Sequence, residues 1–237
     1  MSRLAALLVV TLAACATDEA PPASTDDEAS DFATTGADGK ADGSAVFDAN
    51  DVLADDVLIN DAAMTVDDVQ AFLADSPYGG ASWLATATVG GQSVAQAVVD
   101  AAHADHIHPL VLIARMQVES SGVSKKPGPT ALSHALGCGC PDGSACARSL
   151  AGLDNQLTCA AHLLRELYDG SLARSAEWQK GKQGRTLDPK TVTPATHATA
   201  ALYGYTPWVL TGRGGTWLVW NVTRKFLSHA AANGLLH

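Results

Sequence analysis

Residues 109–120 read Pro-Leu-Val-Leu-Ile-Ala-Arg-Met-Gln-Val-Glu-Ser and form the most hydrophobic helix that the sequence predicts. Pro109 suits the first turn of a helix, where its missing N–H group is not needed. Apolar residues lie on every side of the predicted helix, which is typical of a helix at the centre of a core. Gly122 follows as a natural stop. We therefore expect the rest of the chain to fold around this helix.

Amphipathic helices are predicted on both sides of the central one. Thr65 and Asp68 match a capping box at the start of one helix, and Ser93 can cap another that runs to residue 104. Further helices are predicted over residues 52–59, 154–168, 194–203 and 217–231. Aromatic residues make up only 5% of the chain, so the core must consist mostly of Ala, Val and Leu, which favours helices over a β-sandwich. The sequence predicts one all-α domain over residues 47–237.

The charge of the chain is unevenly distributed. The net charge is −10, but residues 16–75 contain 16 acidic residues and one basic residue, whereas residues 76–237 carry a net charge of +4. An acidic chain with a pI near 5.0 is a poor candidate for binding nucleic acid. The mildly basic C-terminal part suits an anionic polymer such as a cell-wall glycan.

The first residues have the pattern of an export signal. Arg3 precedes an apolar run over residues 4–14, which is too short to span a bilayer but typical of a signal peptide. The run ends at Cys15 in a Leu-Ala-Ala-Cys sequence that resembles the bacterial lipoprotein box. The resemblance implies a lipid anchor at Cys15 in the outer membrane or at the cell surface; the alternative is an ordinary signal peptide. Residues 15–46 contain almost no large apolar side chains and are predicted to be a disordered acidic tether.

The remaining cysteines are predicted to form two disulfides. Cys138, Cys140, Cys146 and Cys159 lie within 22 residues, and an even number of clustered cysteines in an exported protein indicates disulfide bonds. A bond between Cys138 and Cys140 would close a strained ring. Two pairings remain, and we favour Cys140–Cys146 with Cys138–Cys159. A zinc site that includes His134 is the competing interpretation, but the spacing lacks CxxC pairs, and we expect no metal.

Glu119 is the candidate for chemistry. It ends the most hydrophobic predicted helix, where burial and the negative end of the helix dipole both favour the protonated acid. A carboxylic acid that stays protonated near neutral pH can donate its proton to a glycosidic oxygen. The alternative is a Glu at a helix end that pairs with Arg115, four residues earlier.

Residues 105–120 resemble the catalytic helix of soluble lytic transglycosylases and goose-type lysozymes. In those enzymes a buried helix reading hydrophobic residues, Gln, a hydrophobic residue, Glu and Ser ends in the catalytic acid. Residues 200–207, Ala-Ala-Leu-Tyr-Gly-Tyr-Thr-Pro, resemble the family's Ala-Tyr-Asn-Ala-Gly-Pro element. The resemblance covers a little over half of the chain. The family's Gly-Leu-Met-Gln element is missing, and residues 135–140 occupy its place.

The resemblance implies a lysozyme-like helical fold and a glycosidase that cleaves peptidoglycan without a cofactor. Glu119 would be the general acid and Tyr203 would lie beside it. Substrate contacts would come from Gln117 and Ser120, although a local hydrogen bond is the simpler role for Ser120. Tyr205 and Trp208 either stack on sugar rings or pack in the core.

The mechanism depends on whether a second carboxylate exists. Asp142 and Asp154 are the candidates for activating water, but a turn Asp and a helix N-terminal Asp are more ordinary roles. Without a clear second acid, a lytic transglycosylase is favoured over a hydrolase. The other interpretations are a lysozyme-like surface lipoprotein that binds a glycan or a partner without cleaving it, and a purely structural lipoprotein.

Overall fold

The computed structural model describes residues 46–140 and 145–237. This part of the chain is mostly helical, as expected. The helices are α1 (Asp55–Ile59), α2 (Val66–Ala74), α3 (Val94–Ala104), α4 (Pro109–Ser120), α5 (Pro129–Ser133), α6 (Leu153–Leu172), α7 (His197–Tyr205) and α8 (Gly215–Ala232). The short antiparallel pairs are β1 (Thr88–Val89) with β2 (Gln92–Ser93) and β3 (Gly184–Arg185) with β4 (Thr191–Val192).

Helix α4 lies at the centre of the core. Every residue of this helix is buried except Glu119, so the prediction of a central helix is confirmed. Helix α8 packs along α4, and α6 packs against both α3 and α7. The large side chains of Trp217 and Phe226 on α8 are fully buried and close the core on that side. Helices on every side of α4 account for its lack of a polar face.

Local capping signals set the start of several helices. Thr65 and Asp68 form the predicted capping box at the start of α2, and Ser93 caps α3 by accepting the N–H of Gln96 at 3.1 Å. Helix α4 begins at Pro109, and the ring of His108 caps it by accepting the N–H of Leu110 at 3.0 Å. The helix ends one residue earlier than Gly122 suggested, because Ser121 adopts the left-handed conformation at φ 54°.

The first predicted helix begins later than expected. Residues 52–59 were predicted to be helical, but α1 starts only at Asp55. The N–H groups of Val52 and Leu53 donate instead to Oγ1 of Thr199, at 3.0 and 3.1 Å. The carbonyl oxygen of Leu53, which such a helix would use to accept the N–H of Val57, instead accepts the hydroxyls of Thr196 and Thr199 at 2.6 and 3.2 Å.

Two kinds of element were not predicted from the sequence. Hairpin β1–β2 turns at Gly90 and Gly91, which both have positive φ, and a Gly-Gly pair is a known hairpin signal. Helix α5 lies inside residues 125–151, the cysteine-rich segment, for which no helix was predicted. Conversely, α6 extends four residues beyond its predicted end, to Leu172. These additions leave the helical architecture unchanged.

The predictions for the N-terminus lie outside the described residues. They concern the signal peptide over residues 1–14, the lipid anchor at Cys15 and nearly all of the tether over residues 15–46. Among the described residues, none of the helices is both long enough and apolar enough to cross a membrane.

Candidate functional site

Glu119 occupies the last turn of α4, where the central helix reaches the surface. Its side chain is 28% exposed, whereas all other residues of α4 are buried. The carboxylate is thus held by a rigid element and remains open to solvent on one side.

Arg115 lies one helical turn before Glu119 and forms an ion pair with it. The guanidinium Nη2 contacts the Oε1 atom of Glu119, and the Arg115 side chain is only 1% exposed. Its Nε and Nη1 atoms are buried and have no hydrogen-bond partner among the described residues. A neighbouring cation stabilises the ionised carboxylate and so opposes the effects of burial and of the helix dipole on which the sequence argument relied.

Tyr205 covers the same ion pair. The guanidinium carbon of Arg115 lies 4.3 Å from the centre of the Tyr205 ring, a distance typical of a cation–π contact. The phenol hydroxyl donates to the carbonyl oxygen of Leu136 at 2.8 Å, and burial raises the pKa of Tyr205 above its usual range. The hydroxyl is therefore a neutral donor that links α7 to the cysteine-rich segment.

The backbone of Gly137, in the cysteine-rich segment, lies close to the carboxylate of Glu119. Gly137 has a φ of 71°, and a Cβ atom placed there would lie 2.9 Å from Oε2 of Glu119. A side chain at this position would therefore strain the backbone and push against the carboxylate. The glycine lets the loop form one wall of the site.

Tyr203 does not lie where the resemblance implied. Its side chain is fully buried, and its hydroxyl donates to the carbonyl oxygen of Ala49 at 2.8 Å. Its ring stacks on Trp178 at 4.9 Å, and burial raises the pKa of Tyr203 to about 12. Residues two apart on a helix point about 200° apart, so Tyr205 faces the Arg115–Glu119 pair and Tyr203 faces the core. Tyr203 is corrected to a packing residue.

Gln117 and Ser120 both make structural contacts at the end of α4; the local hydrogen bond predicted for Ser120 is present, and substrate contacts by either residue stay a prediction. Gln117 is fully buried, and its Oε1 atom accepts the N–H groups of Val123 and Ser124 at 2.9 and 3.0 Å. Ser120 is buried and donates to the carbonyl oxygen of Met116 at 2.8 Å. Both side chains stabilise the end of α4.

Two tryptophan side chains are partly exposed among the described residues. Trp208 lies between α7 and α8 with a half-buried side chain, and its role in sugar stacking stays a prediction. Trp83, which the sequence analysis did not single out, donates its indole N–H to the carbonyl oxygen of Gly122 at 2.7 Å. This contact holds Trp83 at the same end of α4 as Glu119.

The carboxylates considered as a second acid remain without support. Asp154 is exposed in the first turn of α6, and Asp142 lies outside the described residues. Asp188 is half-buried but accepts the N–H groups of Val209 and Leu210, each at 3.0 Å. Burial alone would raise the pKa of Asp188, but these hydrogen bonds favour the ionised carboxylate, and the pKa is lowered overall. Asp188 therefore holds the segment after α7 in place.

The cysteines are paired as the sequence analysis favoured. Cys138 is bonded to Cys159 and Cys140 to Cys146. The first bond joins the cysteine-rich segment to α6, and the second closes a small ring within that segment. While both bonds are intact, no thiolate is available from these residues to hold a metal ion.

Comparisons of the chain with protein-family models, with curated proteins and with solved structures found no match.

Proposed function

We propose that this protein is a peptidoglycan-cleaving glycosidase of lysozyme-like fold, anchored to the cell envelope through Cys15, in which Glu119 is the general acid and base. The observation that carries the proposal is the position of Glu119. It is the one partly exposed residue of an otherwise buried central helix, and an exposed carboxylate on a rigid, apolar support is what acid catalysis of glycoside cleavage requires.

The residues around Glu119 take separate roles in the proposed reaction. Under this proposal Tyr205 and Gly137 shape the wall of the site, and Trp83 offers a face on which a sugar ring can stack. Glu119 protonates the oxygen between N-acetylmuramic acid and N-acetylglucosamine. In a lytic transglycosylase the resulting carboxylate then takes the proton of the muramyl 6-hydroxyl, which closes an anhydro ring.

Arg115 sets a condition on this mechanism. The guanidinium favours the ionised form of Glu119, so the carboxyl group must gain a proton and separate from Arg115 when the glycan binds. A sugar bound at the exposed side of the carboxylate would exclude water from it and so favour that separation.

The same ion pair favours a second candidate function. An ion pair between a Glu and a buried Arg beneath Tyr205 is also typical of a pair whose role is purely structural. The second candidate is therefore a lysozyme-like surface lipoprotein that binds glycan without cleaving it.

A digest of purified peptidoglycan, analysed by mass spectrometry, distinguishes the two functions. The enzyme would release anhydro-muramyl products, and Glu119→Gln would lower their rate by about 100-fold or more. Products with reducing ends, also lost in Glu119→Gln, would instead indicate a hydrolase. Glu166→Gln, at an exposed site on α6, is the matched control and would leave the rate unchanged.

Folding must be separated from catalysis in this experiment, because Glu119→Gln leaves Arg115 buried beside a neutral partner. The double variant Arg115→Met with Glu119→Gln removes that cost and should recover the unfolding free energy but not the activity. If folded wild-type protein binds peptidoglycan and releases no product, the catalytic proposal is wrong and the second candidate, a lipoprotein that binds glycan without cleaving it, is favoured.

A further inference from the structure

A second cluster of chemically capable side chains lies in the cysteine-rich segment. A ring nitrogen of His134 and the Sγ atoms of Cys140 and Cys146 all lie within 4.8 Å of one another. The Nδ1 atom of His134 is buried and has no hydrogen-bond partner among the described residues. An unpaired buried imidazole nitrogen is costly unless it has a further role, and the two sulfurs lie close enough to the ring to share one with it.

The two disulfides of the segment differ in the length of the loop that each closes and in their exposure. The Cys140–Cys146 bond closes a ring with a sequence separation of only 6, whereas Cys138–Cys159 spans 21. A longer closed loop gains more stabilisation from its cross-link. Cys138 is only 2% exposed and its partner Cys159 is partly exposed, while Cys140 and Cys146 are both partly exposed. Exposed disulfides are the ones that thiols reach first.

We propose that reduction of the Cys140–Cys146 bond creates a zinc site formed by Cys140, Cys146 and His134. A small dithiol supplies two electrons and two protons, leaves as its cyclic disulfide and converts the bond into two thiols. Binding of Zn²⁺ then releases two protons, because each sulfur coordinates as a thiolate. Two thiolates and one imidazole form a donor set that zinc accepts, with a fourth position open to water.

The charges and positions of the three ligands fit a Zn²⁺ ion. Two thiolates neutralise the divalent charge, and the neutral imidazole adds the third ligand without further charge. His134 lies before Gly137 in the same segment, which Gln156 and the Cys138–Cys159 bond hold against α6. The ligands therefore stay close together after the small ring opens. This inference does not depend on the proposed glycosidase activity.

The test uses the full chain, treated with a water-soluble phosphine, which reduces disulfides and binds zinc only weakly. Alkylation followed by peptide mass mapping identifies which cysteines are released. Native mass spectrometry and a competing chromophoric chelator then measure the bound Zn²⁺, and Co²⁺ reports thiolate ligands through its charge-transfer absorption. Circular dichroism before and after reduction verifies that the helices persist.

The expected result is one Zn²⁺ per reduced chain and none on the oxidised chain. His134→Ala should weaken zinc binding by at least about tenfold, and Cys140→Ser with Cys146→Ser should abolish it. His103→Ala, at an exposed histidine on α3, is the control and should change nothing. The proposal is overturned if Cys138–Cys159 is reduced first, if folded reduced chain takes up no zinc, or if folded His134→Ala binds zinc as tightly as wild type.

Discussion

At the scale of single residues, Gln117 can be tested for a structural role against a substrate-binding role. Its side chain makes three hydrogen bonds to the turn after α4, including one from Nε2 to Oγ of Ser124 at 3.0 Å. Gln117→Ala should lower the unfolding free energy by about 2–3 kcal/mol, because it leaves buried N–H groups unpaired. Urea unfolding measures this loss, with Gln183→Ala at an exposed site as the control. Unchanged stability together with weaker glycan binding would favour the substrate-binding role.

His108 makes the stability of the fold depend on pH. Burial lowers the pKa of His108 from 6.5 to about 4, so the unfolded chain binds the proton more tightly than the folded one. The unfolding free energy should therefore fall as the pH drops from about 6.5 to about 4, by about 3 kcal/mol from this residue alone. Above pH 6.5 the residue is neutral in both states and contributes no pH dependence.

His108→Asn isolates this effect, because an Asn oxygen can also accept the N–H of Leu110 at the start of α4. The variant should follow a shallower stability curve between pH 6.5 and 4, measured by urea unfolding at a series of pH values. Two parallel curves would show that His108 does not titrate as its burial implies.

The residue scale also shows how far the sequence could identify the site. Glu119 was identifiable because it interrupts an apolar helix, and Arg115 because it lies four residues earlier on the same helix. Both signals are local. Tyr205 was not singled out over Tyr203, since the motif fixed a position along the chain but not the direction in which α7 faces. The structural partners of Gln117 could not be predicted, because they lie in a turn whose path the sequence does not specify.

At the scale of elements, the predictable features are those set within a few residues. The capping box at Thr65 and the proline at the start of α4 depend on neighbours in sequence, and both predictions are confirmed. The predicted start of α1 was wrong because the backbone of Leu53 binds Thr199, which lies 146 residues away in sequence. Contacts at that separation leave no pattern in a single sequence.

The cysteine-rich segment depends on one side chain of α6. Gln156 is fully buried; its Oε1 atom accepts the N–H groups of Leu136 and Cys138, and its Nε2 atom donates to the carbonyl oxygens of Cys138 and Leu150. Gln156→Ala should cost about 3 kcal/mol of unfolding free energy. It should also lower the proposed glycosidase activity, because Gly137 lies between the two backbone groups that are released.

Hydrogen exchange with mass spectrometry measures the effect of Gln156→Ala locally. The amides of Leu136 and Cys138 should exchange faster, while those of α4 stay protected. Thr158→Ala, at an exposed site on the same helix, is the control. Equal protection of Leu136 and Cys138 in the variant and the wild type would mean that the disulfides alone hold the segment.

At the scale of the whole molecule, the first described residues bind across the fold. The carbonyl oxygen of Asn50 accepts the N–H of Ala195 at 2.7 Å, and Oδ1 of Asp55 accepts the N–H of Ala198 at 2.8 Å. The carbonyl oxygen of Leu58 accepts the N–H of His108 at 2.8 Å. Residues 50–58 therefore join the start of α7 to the start of α4, and the start of the folded domain near residue 47 stays a prediction.

Two shortened chains test this boundary. A chain that begins at residue 46 should keep the full unfolding free energy, because it retains all of these contacts. A chain that begins at residue 61 loses the buried side chains of Val52, Leu53 and Leu58, which together are worth about 5 kcal/mol or more. That loss is comparable to the total stability of an ordinary domain, so the shorter chain should be unfolded by circular dichroism. Adding a peptide of residues 46–60 should restore its helical signal, since the binding surface on α7 is unaltered in sequence. A stable chain without these residues would mean that the helices from α2 onward form a self-sufficient core, and that the N-terminal contacts serve only to position the start of α4.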